Sequence, residues 1–176
     1  NHKIDSGKNW YDGNRALGDG KSWEGLIGGA AVSSCLTVAA HKLWEGNTTS
    51  SNRPFLDPLA ILEPESWYHF DDLWISAAII GFILGMSCMI GDSVGSFVKR
   101  RKGLRREGDV SSKAPLLDTL PFAFAILLST LILFKDTIYF ESSVRPYAVA
   151  LLVLTPAIHR MTNILGYKIG LKSVPY

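Results

Sequence analysis

Four long apolar runs, at about 26–44, 73–91, 116–135 and 146–165, limit what this chain can fold into. Each comes near the ~20 mostly apolar residues that an α-helix needs to cross a bilayer. Helices apolar on every face argue against a soluble all-α domain. The sequence therefore predicts an all-α integral membrane protein, a polytopic bundle of four transmembrane helices in a single membrane domain over residues 1–176. The second run, LWISAAIIGFILGMSCMIG, is rich in Gly, Ala and Ser, which let helix backbones approach closely. The last run contains Pro156, His159 and Arg160, and Pro156 is a candidate kink. Cys35 and Cys88 lie within spans and fit small buried residues better than a disulfide or metal pair.

The loop charges orient the bundle. Residues 92–115 carry Lys99, Arg100, Arg101, Lys102, Arg105, Arg106 and Lys113 against Asp92, Glu107 and Asp109. Residues 45–72 are acidic, with Glu45, Asp57, Glu63, Glu65, Asp71 and Asp72 against Arg53. The positive-inside rule makes 92–115 a cytoplasmic basic loop and 45–72 an external connector, and it puts the Gly-rich 1–25 loop and the tail with Lys168 and Lys172 in the cytoplasm. The expected location is a cell membrane, with a site on the cytoplasmic face. The formal net charge of +2 argues nothing by itself, and no nucleic-acid partner is expected. The connector, with the sequon Asn47-Thr48-Thr49 and prolines 54, 58 and 64, is expected to be variable and without chemistry.

Chemistry collects at the cytoplasmic ends. With 92–101 read as a helix leaving the membrane, Asp92, Ser96 and Lys99 stand at i, i+4 and i+7 on one face, with Arg100 beside them. An acid directly continuing an apolar span is costly without a partner and is a functional candidate. Asp118 opens the next span at the same face. Two carboxylates beside several cations suit Mg2+ bound together with a polyphosphate, because Mg2+ takes one or two carboxylates plus phosphate oxygens and water. The 103–114 stretch reads either as a basic flap over such a ligand or as cations that fix topology. Near the amino end, Gly18-Asp19-Gly20-Lys21-Ser22 precedes a helix, where phosphate meets backbone N–H groups and the positive helix end. A P-loop is excluded because Arg15 stands where its first glycine belongs. Gly25, Gly28 and Gly29 are expected to serve close packing. His159 and Asn163 share a face near the end of the last span, and read either as site residues or as interfacial polar groups.

Gly91-Asp92-x3-Ser96-x2-Lys99-Arg100 followed by Pro115-x2-Asp118 resembles the signature of the phosphatidate cytidylyltransferases, the CDP-diacylglycerol synthases. Lys21-Ser22-Trp23-Glu24-Gly25 with Gly28-Gly29 is similar to that family's upstream element. The small archaeal branch, the CDP-archaeol synthases, is more similar still. It shares the Leu17 to Lys21 block, the Gly91 to Arg101 block and a tail like His159, Asn163, Tyr167-Lys168, Gly170-Leu171-Lys172 and Pro175. The bacterial run before the second acid is absent, and 107–115 reads EGDVSSKAP instead.

The resemblance implies a nucleotidyltransferase that joins CTP to an isoprenoid ether lipid phosphate, 2,3-bis-O-geranylgeranylglycerol 1-phosphate, in the bilayer, giving CDP-archaeol and pyrophosphate. It implies catalytic roles for Asp92, Asp118 and Lys99, with Mg2+ on Asp92 and Asp118. It also implies substrate contacts from Gly18, Asp19, Gly20, Lys21, Ser22, Ser96, Arg100, Arg101, His159 and Asn163. Members of this branch are expected to carry a further span before the Asp5 region, giving five. The rival readings are a synthase acting on phosphatidate, a non-enzymatic adaptor whose basic loop binds anionic lipid, and an anion transporter. The transporter would need polar groups at mid-membrane, and these runs place nearly all of theirs at one end.

Overall fold

The computed structural model describes residues 2–48, 55–60, 62–104, 115–134, 145–171 and 175. Residues 105–114 of the basic segment, Thr49 of the sequon, Arg53 and Lys172 lie outside the described residues. Among the described residues four helices form, α1 over Trp23–Trp44, α2 over Leu73–Arg101, α3 over Pro115–Leu133 and α4 over Arg145–Lys168, and all are long and apolar enough to cross a membrane. Each contains the apolar run expected of it, to within a few residues at the ends, and α2 runs on to Arg101, in line with the reading of 92–101 as a helix leaving the membrane. Its 29 residues span about 43 Å, against a hydrocarbon core of about 30 Å, so the turns carrying Asp92 to Arg101 stand proud of the apolar layer.

Sequential helices pack antiparallel, α1 on α2, α2 on α3 and α3 on α4. The glycines of α2 set how closely. A Cβ at Gly81 would lie 2.4 Å from Thr37 Oγ1 and one at Gly85 2.6 Å from Ser33 Cβ, so this side of α2 is pressed onto α1. On another side, a Cβ at Gly91 would lie 2.5 Å from the Pro121 carbonyl oxygen and one at Gly95 2.7 Å from that of Leu117, both on α3. Ser129 Oγ adds a hydrogen bond of 2.6 Å to Ser87 Oγ across the α2–α3 seam. At the start of α1, only Gly29 serves packing, against Met89; Gly28 faces open space and Gly25 meets the Ser22 cap of its own helix. Cys35, expected to be buried, is exposed on α1, whose outer face also shows Val32 and Leu36. Such faces, continued by Phe124 and Leu128 on α3 and Val153 and Ile158 on α4, form the apolar belt that lipid covers.

The 45–72 segment is more than a tether. His41 Nδ1 lies 2.9 Å from Asp57 Oδ1, and both side chains are buried. The same carboxylate accepts the Leu59 N–H at 2.9 Å and the Gly46 N–H at 3.0 Å. Trp67 stacks on Phe134 and donates its indole N–H to the Leu133 carbonyl at 3.0 Å, satisfying an end group that α3 leaves open. A core of Leu59, Tyr68, Ala77, Ile80 and Phe134 closes this end of the bundle. His41→Ala leaves a buried carboxylate short of one partner and is expected to cost about 2 kcal/mol. Thermal unfolding in detergent measures that cost.

Candidate functional site

The site lies at the end of the bundle where α2 projects. The amino-terminal stretch folds back on itself there, with isolated antiparallel bridges between Lys3 and Ser22 and between Asn9 and Arg15. Ser22 caps α1 by accepting the Gly25 N–H at 3.1 Å. Folding back brings the preceding loop over the side of α2.

Asp5 organises that loop. Its side chain is only 2% exposed. It accepts the Leu17 and Gly18 N–H groups at 3.1 Å each, the Gly7 N–H at 3.0 Å and the Arg15 guanidinium at 3.1 Å. Burial pushes the Asp5 carboxyl up, but the Gly18, Gly7 and Leu17 N–H donors and Arg15 outweigh it and hold the group well below the usual carboxylate range. The stability this lends is full above the pKa of the unfolded carboxyl and is lost only as pH falls through the lowered folded value. We expect the loop to stay docked at acidities where ordinary carboxylates are already protonated, as read by proteolytic protection of the 2–22 segment. Asp19 pairs with Lys3 at 2.7 Å and with Arg15 at 3.1 Å, and these cations hold its carboxyl low.

Between the loop and α2, α3 and α4 lies a cavity of about 440 Å³. Its polar wall carries Lys21, Asp92, Ser96, Lys99, Arg100, Asp118 and His159, and its apolar wall includes Cys88, Met89 and Phe122. Lys21 is ion-paired to Asp92, and Lys99 to Asp118, so both acids face one space and each is neutralised by a lysine. Arg100 differs. Its Nη1 donates to the Leu104 carbonyl at 3.1 Å, and among the described residues it meets no carboxylate. The cavity thus has a surplus cation, which suits an anionic ligand. Gly18, with φ +103°, lies under the Arg100 guanidinium; a Cβ there would come within 3.0 Å of Nη2.

Gly20, another expected site residue, also lines the cavity, whereas Arg101, Asn163, Asp19 and Ser22 do not. Arg101, one residue round the helix from Arg100, turns to the amino-terminal loop. Its Nη1 donates to the Arg15 and Ala16 carbonyls at 3.1 and 3.2 Å, its Nε lies 3.1 Å from Asp12 Oδ2, and the guanidinium sits 3.9 Å over the Phe97 ring. Asn163 is buried behind His159, with Nδ2 3.4 Å from His159 Nδ1. Asp19 is turned to Lys3 and Arg15, and the Ser22 hydroxyl is engaged in capping. The frame of Asp5, Asp12 and Arg15 was not legible as part of a site, because acids in a polar glycine-rich segment carry no periodic signal. Cys88 and Met89 carry no sequence signal beyond their place in an apolar span.

No group of three or more His, Cys, Asp or Glu side chains able to hold a metal ion occurs among the described residues. A cage made wholly of protein is therefore not what these residues offer. Two carboxylates at one cavity do fit a cation that completes its shell with phosphate oxygens and water.

Comparison with known proteins identifies the family. The family model described as CarS-like, CDP-archaeol synthase, matches residues 1–176. A CDP-archaeol synthase of Methanospirillum hungatei is 36% identical over 173 residues, covering 98% of this chain and 89% of the relative. Those of Methanopyrus kandleri and Thermococcus gammatolerans are 38% and 34% identical, each over 98% of this chain, covering 79% and 81% of the relatives. No solved structure matches the chain. With this likeness running from one end of the sequence to the other, the chain belongs to the CDP-archaeol synthase family and is a cytidylyltransferase.

Proposed function

We propose that the cavity binds CTP and the phosphate of an isoprenoid ether lipid, 2,3-bis-O-geranylgeranylglycerol 1-phosphate, and transfers the cytidylyl group to make CDP-archaeol. The observation that carries this reading is the meeting of Lys21, Asp92, Lys99, Arg100, Asp118 and His159, from four separate segments, at one cavity. We place the site at the cytoplasmic face of the cell membrane, because the basic residues of α2 stand at this end.

In the transfer, an oxygen of the lipid phosphate attacks the α-phosphorus of CTP. The new P–O bond forms as the bond from that phosphorus to the α–β bridging oxygen breaks, and pyrophosphate leaves. No covalent enzyme intermediate is needed. Both reactants are anions, so the protein must screen their repulsion and hold them in line. Asp92 and Asp118 would hold Mg2+, which supplies charge neutralisation to the triphosphate and the departing pyrophosphate. Lys21 and Lys99, released from their carboxylates, bind phosphate oxygens, and Arg100 adds a cation that meets no carboxylate among the described residues. His159 faces the reacting phosphates from α4, with Asn163 setting its ring. The prenyl chains continue from the apolar wall at Cys88, Met89 and Phe122 into the bilayer.

Purified protein in lipid nanodiscs, given labelled CTP, Mg2+ and the ether lipid phosphate, should form a labelled CDP-lipid, with phosphatidate as the competing acceptor. No product with either acceptor would defeat the proposal, and equal use of both would defeat the lipid assignment. Lys21→Ala is expected to raise the KM for CTP about tenfold or more, since a charge-assisted contact to phosphate is worth about 1.5–3 kcal/mol. Unchanged nucleotide affinity would remove Lys21 from the site.

A further inference from the structure

We propose that Asp5 and Arg101 are positioning residues of the nucleotide site: they fix the 15–21 segment so that Lys21 and Arg100 meet the triphosphate, and neither touches substrate. The inference rests on the reading of Lys21 given above.

Neither side chain lines the cavity, yet both hold the segment that does. Asp5 grips Leu17 and Gly18 from below through their N–H groups. Arg101 grips Arg15 and Ala16 from the α2 side through their carbonyls, and is itself held by Asp12 and the Phe97 ring. Four consecutive residues, Arg15 to Gly18, are therefore fixed by side chains remote in sequence, Asp5 on one side and Arg101 on the other. Lys21 follows three residues later, with its own N–H bonded to the Gly18 carbonyl at 3.2 Å. Gly18 in turn is the floor beneath the Arg100 guanidinium. Displacing this segment moves Lys21 and takes away the floor beneath Arg100 at once.

A carboxylate suits the Asp5 position because its oxygens only accept, and four donors converge on them. Asparagine has nearly the same shape but turns an NH₂ toward those donors. Arginine suits the other position because its planar fork meets two partners at once, Nη1 the Arg15 and Ala16 carbonyls and Nε with Nη2 the Asp12 carboxylate, which a lysine ammonium does less well.

The experiment measures steady-state kinetics of the full chain in nanodiscs for Asp5→Asn, Arg101→Ala, Arg101→Lys, Lys21→Ala and the double variant Asp5→Asn/Lys21→Ala. A displacement of about 1 Å can cost up to about 100-fold, so Asp5→Asn and Arg101→Ala should each raise the KM for CTP about tenfold or more. The KM for the lipid phosphate should stay unchanged, and Arg101→Lys should recover part of the loss. In the Lys21→Ala background, Asp5→Asn should add less than its single effect, because residues acting through one another are not additive. Equal losses with and without Lys21, or a matching rise in the lipid KM, would show a general structural role and overturn the proposal. A large effect of Lys21→Ala with none from Asp5→Asn or Arg101→Ala would overturn the positioning role alone. No effect of Lys21→Ala would withdraw the reading of Lys21 and the proposal with it. Should Asp5→Asn fail to fold, Arg101→Ala tests the same segment from the other side.

Discussion

Asp92→Asn or Asp118→Asn should abolish CTP-dependent formation of the CDP-lipid, with losses on the order of 10³-fold or more. Each substitution keeps the size of the side chain and removes its charge. That charge has two tasks in the proposed reaction. It neutralises a lysine while the cavity waits, and it holds the cation that screens the triphosphate once substrate is bound. The resting arrangement of Lys21 on Asp92 and Lys99 on Asp118 makes the exchange nearly neutral. With a cation held by the two acids, the lysines would be free to pair with phosphate, so little net charge would be buried in either state. An asparagine leaves an ammonium facing the cavity with no carboxylate, which favours nucleotide binding while removing what drives transfer. The discriminating result is therefore retained CTP binding with turnover lost. Near-normal turnover in both variants would refute the assignment of the acids.

Gly91→Leu should separate α2 from α3 and take activity with it. A Cβ at Gly91 already meets the Pro121 carbonyl oxygen at 2.5 Å, the Phe122 Cα at 2.6 Å and the Ala125 Cβ at 2.7 Å. Two of these are backbone atoms, which cannot turn aside as a flexible side chain can. The overpacking should cost about 3 kcal/mol, at the upper end for such changes. Asp118 lies one turn from Pro121 and Asp92 directly follows Gly91, so the same displacement pulls the acids apart. Gly28→Leu is the control, because a Cβ at Gly28 meets nothing within 4 Å. Thermal unfolding and product formation should fall together for Gly91→Leu and hold for Gly28→Leu. A stable, active Gly91→Leu protein would contradict the close seam.

What could be read from the sequence follows from where each signal lies. The spans were legible because crossing a bilayer demands length and apolarity together, and both are local properties. The stripe of Asp92, Ser96 and Lys99 was legible because helical spacing alone puts these residues on one side, and all three line the cavity. Arg101 was less so: its cation looked equivalent to that of Arg100, and only the docked loop decides that one faces the cavity and the other the Arg15 carbonyl. The loop's own frame depends on contacts between residues 10–13 positions apart without regular secondary structure, as between Asp5 and Arg15 or Gly18, and no periodicity reports those. The pairing of His41 with Asp57 escaped for a similar reason. An acid in an acidic connector shows no sign of being buried until the connector's fold is known.

The glycines of α2 also act as a ruler. Gly85 answers to α1 and Gly91 to α3, and the stretch between them sets the angle at which the two neighbours are held apart. Each residue turns an α-helix by about 100°. Inserting or deleting a single residue between Gly85 and Gly91 would leave both seams intact as sequences yet swing one neighbour a quarter-turn or more around the axis. The amino-terminal loop travels with α1 and Asp118 with α3, so such a change would put the proposed nucleotide clamp and the second acid out of phase. Drift in the length of this short stretch should be far harder to tolerate than drift in the connector at the far end.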